Sequence, residues 1–388
     1  MVNGRAKVEK PIIMPTFALL NQSPVSMFRL LCSILALLPF AASAQDYSYT
    51  RYEGTVASKP VVLHLQRHVR PDYSEGQTIS STQYNGVYYY TQYDMPISVF
   101  GSIDEKGMLQ LTEYTGGMQL KANGKGGLIG TWISTDGTKQ FPVALTEGYP
   151  TGSVAFDGSA RYERKPLFTQ RDNSPGMEVH LAWLEPDGKL PATTRTFIRE
   201  NIHLEMVGKS LRCCPGIQKA FETMRDEQFR MYNDEFRETL KEDPEMPEHM
   251  MNFLDQQSVM VLYNSNYLLS LGFNHSFYSG GAHGNFATTT RSYNLKTLKA
   301  VALADVLKPG YEKALDAALD KSARNYMSIA PQDPINSAYL VDRIPPTDNF
   351  YLTGKGIVFS YPPYEIAPYA GGQVELFVSF ADLRNWVK

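Results

Sequence analysis

The chain has 388 residues, 43 % of them apolar, and its 37 basic and 40 acidic side chains give a net charge of −3. That length and apolar share are enough for two separate cores. The mildly acidic balance argues against a nucleic-acid partner, which calls for a basic face.

From Met27 the N-terminus reads as an export signal. Arg29 leads into an apolar run from Leu30 to Ala42, which closes on Ala42-Ser43-Ala44 ahead of Gln45. A basic start, a short apolar stretch and a small-residue cleavage site mark a secretory signal peptide. A membrane span needs roughly 20 apolar residues, so a retained anchor fits this run less well. No other stretch of the chain is apolar enough to span. Residues 1–26 are either a long leader or a sign that Met27, rather than Met1, is the true start. Cys32 lies early in the apolar run and not at its end, which argues against lipidation. Cleavage after residue 44 removes a net +3 and leaves the remainder at about −6. The expected product is soluble, in the periplasm or outside the cell. Its two cysteines, Cys213 and Cys214, are neighbours. A disulfide between them needs a strained ring, so free thiols, a vicinal bridge and a reactive pair all stay open.

Residues 45–160 read as all-β. Val61–Leu65, Tyr88–Tyr93, Ile97–Phe100, Leu109–Tyr114, Leu128–Ile133 and Phe141–Leu145 are short apolar or aromatic runs. Turn chemistry separates them, as in Asn85-Gly86, Gly116-Gly117 and Asp136-Gly137. Roughly eight strands at this spacing predict an antiparallel barrel or sandwich, and an eight-stranded meander can close on itself. Alternation sets Tyr88 and Tyr90 opposite Tyr89 and Tyr93. His64 and His68 stand four apart, which on a helix invites a metal, but here they fall on a strand and lack a third ligand. No metal or other cofactor is expected.

Residues 161–176 are polar and read as a linker. Beyond it, Met177–Trp183 alternates like a strand. Helices are predicted over Thr194–Met206, from Ile217 to Leu240 and over Tyr311–Tyr326; in the second, Ile217, Ala220, Phe221 and Met224 share one face. Strands are predicted at Ser258–Tyr263, Tyr267–Phe273, Asn285–Tyr293, Phe350–Thr353, Ile357–Tyr361 and Val374–Phe380. Strands interrupted by helices without βαβ regularity predict an α+β domain over 177–388 with a mainly antiparallel sheet.

The C-terminal part also holds an ordered set of motifs. Tyr278-Ser279-Gly280-Gly281-Ala282-His283-Gly284 comes first, followed by Tyr293-Asn294-Leu295 and Leu303-Ala304-Asp305-Val306-Leu307. Asn349-Phe350 and Tyr361-Pro362-Pro363-Tyr364-Glu365-Ile366-Ala367-Pro368-Tyr369 close the set. Together they resemble the extracellular domain shared by the lysozyme-sensing anti-sigma factor RsiV and the peptidoglycan deacetylase PdaC. The resemblance covers about residues 177–388 and implies a domain that binds rather than catalyses. The sigma-binding segment, the membrane helix and the metal-dependent deacetylase domain of those relatives have no counterpart here. Sigma-factor inhibition and deacetylation therefore do not carry over.

Gly280 and Gly281 permit positive φ or a close approach. His283 is a candidate ligand or base, or else a hydrogen-bonded structural histidine. Prolines 363 and 368 hold the loop that bears Tyr361, Tyr364, Glu365 and Tyr369, as suits either a preorganised contact or a crossover between strands. With Tyr278 these residues form the candidate binding set. No Ser-His-Asp or Cys-His order assembles, so no catalytic residue is assigned and the chain is expected not to be an enzyme. The resemblance points to a lysozyme-like protein or a peptidoglycan fragment as partner. The competing reading is a β-barrel that binds a small ligand or glycan, with the C-terminal domain as scaffold; a hydrolase with an unrecognised site comes third.

Overall fold

The computed structural model describes residues 46–72, 79–171, 173–208 and 216–388. The export signal, its cleavage site and the Cys213-Cys214 pair lie outside the described residues.

Eight strands form the first part: β1 Tyr47–Val56, β2 Lys59–Asp72, β3 Ile79–Tyr90, β4 Ile97–Ile103, β5 Leu109–Thr112, β6 Gly116–Ala122, β7 Gly127–Ser134 and β8 Gln140–Glu147. Each pairs antiparallel with the next, and β8 returns to β1, so the meander closes as a barrel. Of barrel and sandwich, the barrel is the one formed. Residues directly opposite across antiparallel strands share a face. Tyr52, Leu63 and Tyr88 lie opposite one another and point inward, as do Leu111 and Met118. Leu63, Leu109 and Leu120 are wholly buried.

Inward-facing glycines let the strands bend this tightly. A Cβ on Gly86 would collide with the His64 carbonyl, and one on Gly101 with that of Gln110. Only glycine allows neighbouring backbones so close at a barrel corner. Gly86→Ala is therefore expected to cost about 3 kcal/mol, the upper part of the overpacking range. Urea unfolding checks this; a variant within about 0.5 kcal/mol of the parent contradicts it.

The second part is a six-stranded sheet in the order β14-β13-β12-β11-β10-β9. Its strands are β9 Phe156–Pro166, β10 Gly176–Pro186, β11 Phe253–Ser265, β12 Leu268–Ser279, β13 Asn285–Asn294 and β14 Lys299–Ala300. All pairs are antiparallel except β10 with β11. A parallel pair needs a crossover. Helices α1 Ala192–Val207 and α2 Ile217–Glu242 supply it, and both pack on β10. β10 is buried along almost its whole length because helices cover one face and the barrel covers the other. That is why its sequence reads as a near-continuous apolar run.

The polar run 161–166 is strand and not linker. It forms the second half of β9 and pairs with β10 from Gly176 to Leu181. Its charges have partners: Glu163 meets Arg225 of α2 at 2.8 Å and Arg164 meets Glu178 of β10 at 3.7 Å. Paired charges at a sheet edge give a strand the composition of a loop.

Barrel and sheet meet through a polar seam. The outer face of β1 to β3 carries Tyr47, Tyr49, Arg51, His64, Gln66 and Tyr89, all buried. Tyr49 and Tyr47 belong to the same apolar cluster as Val179 and Phe221. The Tyr49 hydroxyl lies 2.9 Å from His64 Nδ1, and His64 Nε2 lies 3.3 Å from the Tyr89 hydroxyl. Asn264 of β11 donates to Tyr49 at 3.1 Å, and Arg51 Nε donates to the Asn264 carbonyl at 3.1 Å. The Tyr89 ring stacks on Tyr263 of β11 at 5.2 Å. Tyr49, Arg51, His64 and Asn264 tolerate this burial because they hydrogen-bond one another.

The third layer holds β15 Phe350–Leu352, β16 Gly356–Tyr361 and β17 Val374–Ser379, with the short helix α3 Leu303–Val306 and with α4 Glu312–Met327 against β17. Asn349 clasps this layer to the large sheet. Its Oδ1 accepts from the Thr290 N–H at 2.7 Å and from the Thr290 hydroxyl at 3.0 Å. Its Nδ2 donates to the Thr288 and Ser360 carbonyls at 2.9 and 2.8 Å. The fold is thus a closed barrel followed by an α+β part with a mainly antiparallel sheet, as predicted. Among the described residues no helix is long and apolar enough to cross a membrane.

Candidate functional site

Two loops meet beside the ends of β12 and β16. The first runs from Ser279 to Gly284 and joins β12 to β13. Gly280 and Gly281 both take positive φ, at 79° and 87°. A Cβ on Gly280 would stand 2.6 Å from the Met250 carbonyl oxygen, so glycine is required there for space as well as for φ. The Tyr278 hydroxyl donates to the Gly281 carbonyl at 3.0 Å and ties the turn shut.

The second loop runs from Pro362 to Gly372 and joins β16 to β17. Ile366 and Ala367 at its centre are buried in the third layer's core. Leu340 N–H donates to the Ile366 carbonyl at 2.8 Å. With its middle anchored, the apex Tyr364-Glu365 is pushed outward. Tyr364 N–H donates to the Ala367 carbonyl at 2.9 Å and Glu365 N–H to that of Pro362 at 3.1 Å. Tyr364 is 55 % exposed and sits at φ 71°. A bulky residue held in the left-handed region without burying its side chain is an outlier that invites a functional explanation.

The loops share an aromatic ledge. His283 stacks on Tyr369 with ring centres 4.2 Å apart and planes within 23°. Tyr364 leans on the same Tyr369 ring at 5.8 Å, and Phe286 of β13 meets it edge-on at 6.0 Å. The Gly284 carbonyl accepts from the Tyr369 hydroxyl at 2.7 Å and lies 2.8 Å from His283 Nδ1. A carbonyl only accepts, so Nδ1 carries the proton and Nε2 is left as the acceptor. Burial pushes the Glu365 carboxyl above its ordinary range.

Residues about 85 positions apart in sequence are thus brought together: His283, Tyr364 and Tyr369 directly, with Tyr278, Gly280 and Gly281 shaping the turn below them. Tyr361 is different. It ends β16, is wholly buried, and donates to the Pro345 carbonyl at 2.7 Å, so it is a core residue and no contact. Phe286 belongs to the ledge and was not singled out by sequence; its alternation on β13 gave no sign that it met Tyr369. Chemically the ledge offers stacking area and a ring nitrogen, which are means of recognition, and Glu365 stands exposed beside Tyr364 in the chain. Among the described residues no group of three or more His, Cys, Asp or Glu is placed to hold a metal ion. His64 and His68 are instead part of the seam.

Residues 304–381, which include α3, α4, the third layer and the Pro362–Gly372 loop, match the family described as a protein of unknown function, DUF3298. A crystal structure of a DUF3298 family member from Bacteroides fragilis is similar in fold, with a TM-score of 0.55 at 22 % identity, covering 61 % of this chain and 95 % of that one. A DUF3298 protein from Pseudomonas aeruginosa aligns over 61 % of this chain and 94 % of its own, with a TM-score of 0.43 and 16 % identity. No curated protein matches the chain. The matched segment thus supplies Tyr364, Glu365 and Tyr369, while His283 comes from the strand pair that precedes it.

Proposed function

We propose that the protein is an exported, non-catalytic binding protein of the cell envelope that contacts a lysozyme-like muramidase or a cell-wall component through the His283–Tyr369–Tyr364 ledge. The resemblance of residues 177–388 to the RsiV and PdaC extracellular domain supports that partner class. The observation that carries the reading is Tyr364, exposed at 55 % and left-handed at φ 71° on a loop whose flanks are buried. A rigid loop that presents tyrosines contributes contact area at low entropy cost. The barrel interior is lined by inward leucines and tyrosines that are buried against one another, which favours the ledge over the barrel as the contact.

Tyr364→Gly separates binding from folding. Glycine relieves the left-handed backbone, so the variant is expected to melt at or above the parent temperature, a gain of up to about 1 kcal/mol. Loss of an aromatic anchor is expected to weaken partner binding by about 2 kcal/mol, or some thirtyfold. Titration calorimetry beside a melting curve reads both. A variant that melts lower, with the parent's affinity, shows the tyrosine to be structural and removes the site.

A further inference from the structure

The sheet face that packs on the barrel carries a row of polar side chains. Tyr162 of β9, His180 of β10 and Gln256 of β11 stand opposite one another in the strand registers. His68 and Arg70 of β2 close over them. The Tyr162 ring contacts both imidazoles, at 5.8 Å from His68 and edge-on at 5.1 Å from His180.

This cluster is rich in donors and short of acceptors. Arg70 donates through Nε to His68 Nδ1 at 3.1 Å and through Nη1 to Gln256 Oε1 at 2.9 Å. Because Nδ1 accepts, the His68 proton sits on Nε2. His68 is only 4 % exposed, and that Nε2 donor is buried with no partner. The Tyr162 hydroxyl is buried and unpartnered in the same way. His180, also 4 % exposed, makes no hydrogen bond through either ring nitrogen, although its Nε2 lies 3.1 Å from Glu178 Oε2. Glu178 in turn lies 3.7 Å from Arg164. Asp46 is the other acid within electrostatic range of Tyr162. Among the described residues no carboxylate pairs with Arg70. Native interiors leave few buried donors unsatisfied, and each costs free energy. Two such donors beside a guanidinium that pairs with no carboxylate among the described residues make an anion's environment. Arg70 and Tyr162 are only partly buried, so the cluster reaches the surface along their side.

We propose that this seam is a binding site for a small oxyanion, a carboxylate or phosphate group, held by Arg70, the His68 Nε2–H and the Tyr162 hydroxyl. The site joins β2 of the barrel to β9 and β10 of the sheet, so its occupant clamps the two parts together. It does not rest on the reading of the ledge and stands or falls separately.

The test is thermal unfolding and calorimetry of the purified chain from Gln45 to Lys388 at pH 7. Inorganic phosphate, sulfate and acetate are titrated separately against sodium chloride at matched ionic strength. At least one of the three is expected to raise the melting temperature saturably, and a response to acetate alone assigns the site to carboxylates. Tyr162→Phe keeps the ring and removes the unpartnered hydroxyl. It is expected to fold with unchanged or higher stability without anion, and to bind the responding anion roughly fivefold more weakly. Arg70→Gln is expected to weaken binding roughly tenfold or more. Arg171→Gln, on the surface, is expected to leave the response intact. The proposal is overturned if all three anions act no differently from chloride, or if Tyr162→Phe and Arg70→Gln both respond as the parent does.

Discussion

Stability is expected to peak near pH 6.5 and to fall ever more steeply as the pH drops toward 3. Burial pushes the His64 and His68 imidazoles down to about 3 from 6.5, helped by the positive charges of Arg51 and Arg70 respectively. The unfolded chain therefore takes up a proton at each histidine as pH falls below 6.5, while the folded chain does not. A depressed histidine thus contributes stability that is present above 6.5 and lost on the way down to 3. Glu375 of β17 has the opposite sign. Burial pushes its carboxyl up to about 7 from 4.5, against hydrogen bonds from Tyr351 and Ser360. The folded chain holds that proton between pH 7 and 4.5, where the unfolded chain has released it. From 6.5 to 4.5 these three groups together differ by one proton, or about 1.4 kcal/mol per pH unit. Below 4.5 Glu375 no longer offsets the histidines, and the slope doubles to about 2.7 kcal/mol per unit. Urea midpoints measured across pH in chloride buffers read the slopes directly. His64→Gln is expected to remove one proton from the slope, and Glu375→Gln to steepen the upper branch. A flat profile between pH 6.5 and 4.5, or a Glu375→Gln profile identical to the parent's, contradicts the account.

The second large effect is expected at Asn349. Its amide satisfies four groups on two layers: the Thr290 N–H and hydroxyl, and the Thr288 and Ser360 carbonyls. Asn349→Ala removes the shared partner of the Thr290 N–H and hydroxyl and one donor to the Ser360 carbonyl, at roughly 1–3 kcal/mol each where water cannot reach them, while the Thr288 carbonyl keeps the Gln373 amide at 2.8 Å. Some will find other partners, so a loss of about 4 kcal/mol is expected. Asn349→Asp retains the acceptor but aims a second oxygen at two carbonyls, and is expected to be worse. Denaturant unfolding measures both. A loss below about 1 kcal/mol for Asn349→Ala would show that the layers are held by their apolar core alone.

The barrel was legible because its signals are local. Asp136-Gly137 lies at the reversal between β7 and β8, and Gly116-Gly117 opens β6 just after one, but Asn85-Gly86, read as a turn, stands inside β3 opposite Gln66 and Leu65, where the missing Cβ serves the bend of the strand; period-two alternation tells the inward Tyr88 from the outward Tyr89. The helices were legible for the same reason, each being one periodic segment. Strand β9 was not. Its charges are neutralised by Arg225 and Glu178, which lie far along the chain, so composition alone made it a linker. The parallel pairing of β10 with β11 was also hidden, because it depends on where two helices carry the chain. At the ledge the motif residues were found, but their roles were not separable. Tyr361 and Tyr364 are three positions apart in one motif, yet one ends a strand and points into the core while the other caps a turn in solvent.

Whether the ledge binds is read by equilibrium titration of the chain from Gln45 to Lys388 against a basic animal-type lysozyme and, separately, against soluble peptidoglycan fragments. Saturable binding to one of them is expected, lost in Tyr364→Gly and in Tyr369→Ala while the melting temperature of Tyr364→Gly stays at or above the parent's. Binding to neither partner, or binding that both variants retain at full strength, contradicts that expectation.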